Sequence, residues 1–420
     1  MKSPSYKELS HCLACGGNSA LAPYLSLGVQ PLANSYRRPN DTSEEQKFPL
    51  AVNHCQLCHH SQLTIAVNPD LLYRDYLYVS GTTKTFRKHQ EQLARRAIRA
   101  FEKSPQQMRV LDIASNDGSQ LESFRALGCE VYGVDPAVNL RTITLEKDID
   151  VDVAYFDEEW ARQQKKRDDE PYDIITATNV LGHVSDPYSI LCGIQHLLAP
   201  DGIAIIEFPY GKNILQHGEF DQWYHEHHSE FTVNSFHALV RRCGLAIRDI
   251  LETPIHGGSI RFTLGHYTKP QTFTGYMETV GHYRKVENEA GLYSDAAYEA
   301  FQERVDETCK ALILETEKQK FLGRKTVGYG ASAKLNSVLN YTRIELDWIC
   351  DDTPMKHGYV TPGQRIPIVG TDSLLGPDRL AIVLGAWNFA SEIQQKIASI
   401  RKQLPGRDVL ITYVPEVRCT

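Results

Sequence analysis

Two cysteine pairs, Cys12-Leu13-Ala14-Cys15 and Cys55-Gln56-Leu57-Cys58, constrain the N-terminal part of this chain more than any other feature. Each C-x-x-C pair presents two thiolates from one tight turn, and two such knuckles complete a closed, tetrahedral zinc site. Chance cysteines or a redox pair are the competing explanation. With four protein ligands the metal has no open position, so its task is structural. The stretch between the knuckles is longer than in a compact zinc ribbon and must form its own loop or hairpin. His11, His54, His59 and His60 flank the knuckles and compete as ligands, although surface positions are expected for them.

A chain of 420 residues exceeds what one core organises, since domains commonly run to about 100–200 residues. Up to about residue 72 the sequence is turn-rich, with GGNS and RRPND between short apolar runs. An amphipathic helix in KTFRKHQEQLARRAIRAFEK then precedes a strand, MRVLDIA. Strand and helix patterns alternate through EVYGVD, YDIITATNV and GIAIIEFP, which argues for βαβ units around a parallel sheet. Over 293–320, Ala297, Tyr298, Phe301, Val305, Cys309 and Leu312 recur at helical spacing and predict a long packing and linking helix. A second alternating block follows, with KTVGYG, ELDWICDD, LAIVLGAW and VLITYVP. The expected division is a zinc-binding domain (1–72), a central α/β domain (73–265), a helical linker (266–322) and a C-terminal α/β domain (323–420).

A net charge of -7 with 42% hydrophobic residues disfavours nucleic acid or an anionic membrane surface as the main partner. The first residues lack the apolar run of a signal peptide, and no segment approaches the roughly 18 apolar residues of a membrane helix. A cytoplasmic location is expected, in which the ten cysteines stay reduced or bind metal.

Leu111-Asp112-Ile113-Ala114-Ser115-Asn116-Asp117-Gly118 joins a strand to a helix through a polar turn whose backbone N–H groups can face a cofactor. Asp135, at the end of the next strand, can accept both ribose hydroxyls of a nucleoside. Together with Asn179 at a later strand end, this favours S-adenosylmethionine, with NAD as the rival. Tyr224-His225-Glu226-His227-His228 is the densest cluster of groups able to move protons near neutral pH. On residue type alone it is equally a metal site or a solvated loop. His183 follows a strand on the cofactor side. His256-Gly257-Gly258-Ser259-Ile260-Arg261 combines a flexible turn with a hydroxyl and a fixed cation suited to an anion or a carbonyl. Gly328-Tyr329-Gly330-Ala331-Ser332-Ala333-Lys334 is a strand-to-helix turn able to cradle a phosphate, without the sequence of an ATP-hydrolysing loop.

In order, these motifs resemble the sugar C-methyltransferase family that builds 3-C-methyl branches on nucleotide-linked deoxysugars. The resemblance covers nearly the whole chain: the paired knuckles, Tyr76-Leu77-Tyr78-Val79-Ser80-Gly81, Ser115-Asn116-Asp117-Gly118, 179–183, Tyr224-His225-Glu226-His227, the HGGSIR turn and Trp387-Asn388-Phe389. It departs at Leu335, where similar proteins often carry glycine. The resemblance implies a zinc-binding domain, a Rossmann-like methyltransferase domain and a C-terminal α/β domain of Rossmann-like form that helps hold the nucleotide-sugar. It implies S-adenosyl-L-methionine and a structural Zn2+ as cofactors. The active-site set is then Tyr76, His183, Tyr224, Glu226 and His227. Cofactor contacts are expected from Ala114, Ser115, Asn116, Asp117, Gly118, Asp135, Pro136, Asn179, Tyr78 and Ser80. Substrate contacts are expected from His256, Gly257, Ser259, Arg261, Lys334 and Asn388. His227 is the expected base that removes the C3 proton of a 4-keto sugar, Tyr224 or His183 the oxyanion donor, and Glu226 an orienting group. The expected carrier is dTDP, with GDP or CDP as alternatives, and the chain is expected as a monomer or small homo-oligomer. A non-sugar acceptor, or a non-catalytic zinc-bearing binding protein, are the other readings.

Overall fold

A computed structural model describes residues 5–18, 20–73, 81, 84–267, 274–402 and 408–420. Tyr76, Tyr78 and Ser80 lie outside the described residues.

The middle of the chain forms a 7-stranded sheet in the order Leu245–Thr253, Ser259–His266, Leu198–Pro209, Tyr172–Thr178, Arg109–Ile113, Glu130–Val134, Val151–Asp152. The inner strands Tyr172–Thr178 and Arg109–Ile113 are buried almost without alternation, as expected where helices cover both faces. The expected parallel arrangement holds from Leu198–Pro209 to Val151–Asp152. Ser259–His266 departs from it, running antiparallel to both of its neighbours, so the HGGSIR turn opens an antiparallel strand of the same sheet.

The N-terminal region is more ordered than its texture predicts. Strands Leu21–Pro31 and Lys47–Cys55 pair as a long antiparallel hairpin, the one required between the knuckles. Its period-two signal is broken by register shifts between Pro23 and Leu25 and between Ser26 and Val29, with Gly28 at a φ of 77°. Irregularities of this kind scramble strand alternation in sequence. Ser61–Leu63 extends this sheet, and Ser229–Glu230 from the middle of the chain adds to its edge. The segment that precedes Ser229 is thereby held against the N-terminal sheet.

Helix Asp295–Phe321 matches the helix predicted over 293–320, burying Tyr298, Phe301, Val305, Cys309 and Leu312. It clamps the hairpin: Tyr298 stacks on His54 with ring centroids 4.0 Å apart and packs edge-on to Tyr24. The C-terminal block forms a 6-stranded sheet, Ile368–Val369, Trp348–Cys350, Lys325–Tyr329, Leu380–Leu384, Val409–Thr412, Arg418–Cys419, parallel except for the last strand. Among the described residues no helix is long and apolar enough to cross a membrane.

Candidate active site

The Sγ atoms of Cys12, Cys15, Cys55 and Cys58 lie within 4.8 Å of one another. Cys12 and Cys58 are 3.6 Å apart, and Cys15 and Cys55 3.7 Å. A tetrahedron with metal–sulfur bonds of about 2.3 Å has edges of about 3.8 Å, so the thiols fit zinc. The knuckle turns set this spacing: Gly16 N–H donates to Cys12 O, and His59 N–H donates to Cys55 O. The expectation of surface positions for the flanking histidines fails at two of them. His54 and His60 are buried, held by Asp295 and Ser229 at 3.1 Å each, and tie the zinc module to the linker helix and the central domain.

At the cofactor turn, Ala114, Asn116 and Gly118 all have positive φ, at 55°, 51° and 76°. Two of these are not glycine, a strain typical of sites whose backbone must curl tightly. The curl differs in detail from expectation. Its N–H groups find internal acceptors: Ala114 donates to Val134 O, Asn116 to Asp135 Oδ2 at 2.9 Å, and Gly118 to Ser115 O. Asp135 also accepts from Ala137 N–H at 2.8 Å, which fixes its carboxylate and leaves further lone pairs for ribose hydroxyls. Ser115 Oγ is buried with no partner among the described residues, the kind of orphan a ligand satisfies. Gly133 is required beside it, because a Cβ there would stand 2.6 Å from Ser115 Oγ. Pro136 follows Asp135 and is partly buried, and Asn179, at a φ of 58°, donates its N–H to Glu207 O at 2.7 Å.

The proton-transfer cluster is a built site. Tyr224 Oη lies 2.5 Å from His227 Nε2, and the two rings sit 4.0 Å apart. The His183 ring meets that of His227 edge-on at 4.6 Å. Glu226 accepts from Asn34 Nδ2 at 2.8 Å. Burial pushes His227 well below the ordinary histidine range, and the charges of His183 and Lys334 add to this. His225 and His228 turn away from this pair. His225 meets the Phe48 and Pro49 carbonyls at 3.3 Å, and His228 Nδ1 lies 3.0 Å from the His183 carbonyl. Burial lowers both to about 4.

The C-terminal domain reaches the same region. Lys334, in the first turn of helix Ala333–Thr342, places Nζ 4.8 Å above the Trp387 ring. Trp387 Nε1–H donates to Asp221 Oδ2 at 2.7 Å, and Tyr413 O–H donates to the same oxygen at 2.9 Å. Asp221 Oδ1 is buried and has no partner among the described residues. Gly257, in the turn Ile255–Gly257 with His256, approaches closely enough that a Cβ would stand 3.3 Å from Trp387. Asn388 is partly buried in the turn Trp387–Phe389. Ser259 and Arg261, expected as substrate contacts, have partners within the chain. Ser259 Oγ donates to Ile255 O at 3.0 Å, and Arg261 donates Nε–H to Glu207 Oε2 at 2.7 Å inside the central sheet, where His89 Nε2 is 2.6 Å from Glu207 Oε1.

Three supporting residues escaped the sequence reading. Asn34 reaches Glu226 from the hairpin, and Tyr73 O–H lies 2.9 Å from His183 O and 3.2 Å from Glu226 O. Buried Asp112 accepts from Thr176 at 2.6 Å, and burial raises it to about 7, helped by the charges of Asp135 and Asp117. A carboxyl in an otherwise apolar strand was the available signal for Asp112. Nothing local marks the other two.

Three family descriptions match the chain: "Putative zinc binding domain" over residues 12–73, "Methyltransferase domain" over 86–250, and "C-methyltransferase C-terminal domain" over 254–415. C-methyltransferase NovU of Streptomyces niveus is 30% identical over 422 residues, covering 98% of this chain and 97% of that protein. A ubiquinone biosynthesis O-methyltransferase of Acinetobacter baylyi is 26% identical over 190 residues, 40% of this chain and 74% of the relative. Among solved structures, the PH0226 protein of Pyrococcus horikoshii aligns with 47% of this chain and 98% of its own at 16% identity, with a TM-score of 0.37.

Proposed function

Because this chain belongs to the C-methyltransferase family, is S-adenosylmethionine-dependent and carries a zinc-binding N-terminal domain, we propose that it methylates C3 of a nucleotide-linked 4-keto-deoxysugar. The observation that carries this reading is the 2.5 Å contact between Tyr224 Oη and His227 Nε2, at a buried ring where desolvation favours the neutral form of His227. A neutral imidazole is a competent base, and a hydrogen on carbon next to a ketone is the kind of acid that needs one.

In this reading His227 takes the C3 proton and the electron pair moves into the enolate, whose oxyanion accepts hydrogen bonds from Tyr224 or His183. Glu226, fixed by Asn34, orients a sugar hydroxyl. S-adenosylmethionine, when bound, supplies the electrophilic methyl group. The enzyme's further contribution is alignment, holding the carbon nucleophile at the cofactor site formed by Ala114, Ser115, Asn116, Asp117, Gly118 and Asp135. Lys334 and Asn388, with the Gly257 turn, are assigned to the nucleotide-sugar, dTDP-linked before GDP- or CDP-linked. The zinc-binding (1–72), methyltransferase (73–265), linker (266–322) and C-terminal (323–420) parts are assigned as the domains, with the substrate lying among them.

The test is incubation with S-adenosylmethionine and a panel of dTDP-, GDP- and CDP-linked 4-keto sugars. One of them should gain the mass of one methyl group, placed on C3 by carbon-13 NMR. No gain on any sugar defeats the substrate assignment. A methyl group on C5, the other carbon beside the ketone, defeats the choice of C3 alone.

A further inference from the structure

Three residues beyond His227, Glu230 enters the short strand Ser229–Glu230 at the edge of the N-terminal sheet. That pairing turns its side chain to His227: Glu230 Oε1 lies 3.4 Å from Nδ1, and both side chains are buried. The opposite nitrogen, Nε2, faces Tyr224 Oη at 2.5 Å. The ring therefore stands between a phenol and a carboxyl; among the described residues Nδ1 makes no hydrogen bond, and Glu230 Oε1 at 3.4 Å is the carboxylate facing it.

An imidazole can act as a base at Nε2 only if its proton sits on Nδ1, and the partner of Nδ1 decides that tautomer. We propose that Glu230 is the positioning residue of the active site, accepting Nδ1–H from His227 so that the Nε2 lone pair faces Tyr224 and the reacting carbon. The inference rests on the reading of His227 as the base. Burial and the neighbouring Glu219 push the Glu230 carboxyl well above its usual range, against the pull of Lys334. A neutral carboxyl still offers a carbonyl oxygen to Nδ1–H, and it avoids burying an uncompensated anion. The other groups bearing on the ring are His183, His228 and Lys334, each disfavouring its charged form, and the Gln222 backbone, which favours it. The proton balance is simple: the substrate C–H proton moves to Nε2, the C–H electron pair becomes the enolate, and the ring passes from neutral to imidazolium with Nδ1–H still held by Glu230.

The experiment uses the full-length zinc-loaded protein in three forms, wild type, Glu230→Leu and Glu230→Gln. Nitrogen-15 NMR of the imidazole rings, with His227 identified by loss of its signals in His227→Ala, should show Nε2 unprotonated in wild type and in Glu230→Gln, whose amide oxygen accepts the same bond. Glu230→Leu should show mixed tautomers. Its kcat should fall about 100-fold, the lower end of what a positioned base contributes, with S-adenosylmethionine affinity within twofold. Glu230→Gln should recover most of that rate. A wild-type ring protonated at Nε2, a Leu variant that keeps both tautomer and rate, or a Gln variant that fails to rescue overturns the proposal. The tautomer is read without sugar, so it stands or falls separately from the substrate assignment. Full activity in His227→Ala would sink the base assignment instead.

Discussion

Replacing Arg261 by methionine separates two roles for a residue whose motif suggests a substrate contact. The structure gives its guanidinium to Glu207, whose side chain is 1% exposed. Burial pushes Glu207 up, but the His89 hydrogen bond and the Arg261 charge outweigh it and leave the carboxyl below its ordinary range. Removing one partner of a buried pair costs about 3–5 kcal/mol, because the other charge stays in the interior. Arg261→Met should therefore lose about that much. Spread over a domain of this size, that is a fall of about 10 °C in the unfolding midpoint. Arg261→Met combined with Glu207→Gln removes both charges and should recover most of the loss. Since the folded Glu207 is depressed, its contribution is present above the unfolded carboxylate value and fades as pH falls through the lower folded one. The difference between wild type and Arg261→Met should shrink as the pH falls below the ordinary carboxylate range. Thermal unfolding by circular dichroism, with sugar KM measured alongside, decides the matter. A change below about 1 kcal/mol, paired with a large rise in sugar KM, would refute this reasoning and return Arg261 to the substrate.

Other expectations follow from the same geometry. One zinc per chain should be found by elemental analysis, and chelation should unfold the N-terminal module and lower the thermal midpoint, since structural zinc contributes folding free energy directly. Because burial holds His227 below its ordinary value and the neutral ring is the active form, kcat/KM should stay level from pH 8 down past 6.5 and fall only at more acid pH; an acid limb centred at 6.5 would contradict the buried site. Asp135→Ala should weaken S-adenosylmethionine binding by about tenfold or more in calorimetry, as the loss of charge-assisted hydrogen bonds implies. Asp112 is raised to about 7, so the folded state holds its proton more tightly than the unfolded state, and its stabilising effect at low pH is lost as pH rises through 7. Asp112→Asn should gain stability relative to wild type at pH 8, with little difference at pH 4.

Local chemistry was the legible part of this chain. The knuckles, the 114–118 turn and the 224–228 cluster announce themselves because their residues act within a few positions of one another. The linker helix was readable for the same reason, as its buried face recurs at a fixed interval. What escaped depends on distant partners. Asn34 and Glu226 are 192 positions apart, and only the bulged hairpin brings them together. The hairpin was obscured by its register shifts. Glu230 stood three residues from the expected base, yet its direction is set by pairing with Gln62 and Ser61, which no local pattern records. Arg261 shows the opposite case: a suggestive motif whose side chain is claimed by a neighbouring strand. His54 and His60 likewise read as surface residues because their partners, Asp295 and Ser229, lie far along the chain.

The central claim is that His227 removes a hydrogen from the carbon next to a ketone before methyl transfer. Solvent deuterium exchange tests it directly, using the nucleotide-linked 4-keto sugar that the mass assay selects, with S-adenosylhomocysteine in place of the methyl donor. Wild type should wash deuterium into C3 as read by proton NMR, and His227→Ala should slow that exchange by about 100-fold or more while still binding the sugar. Exchange at the wild-type rate in His227→Ala would contradict the account.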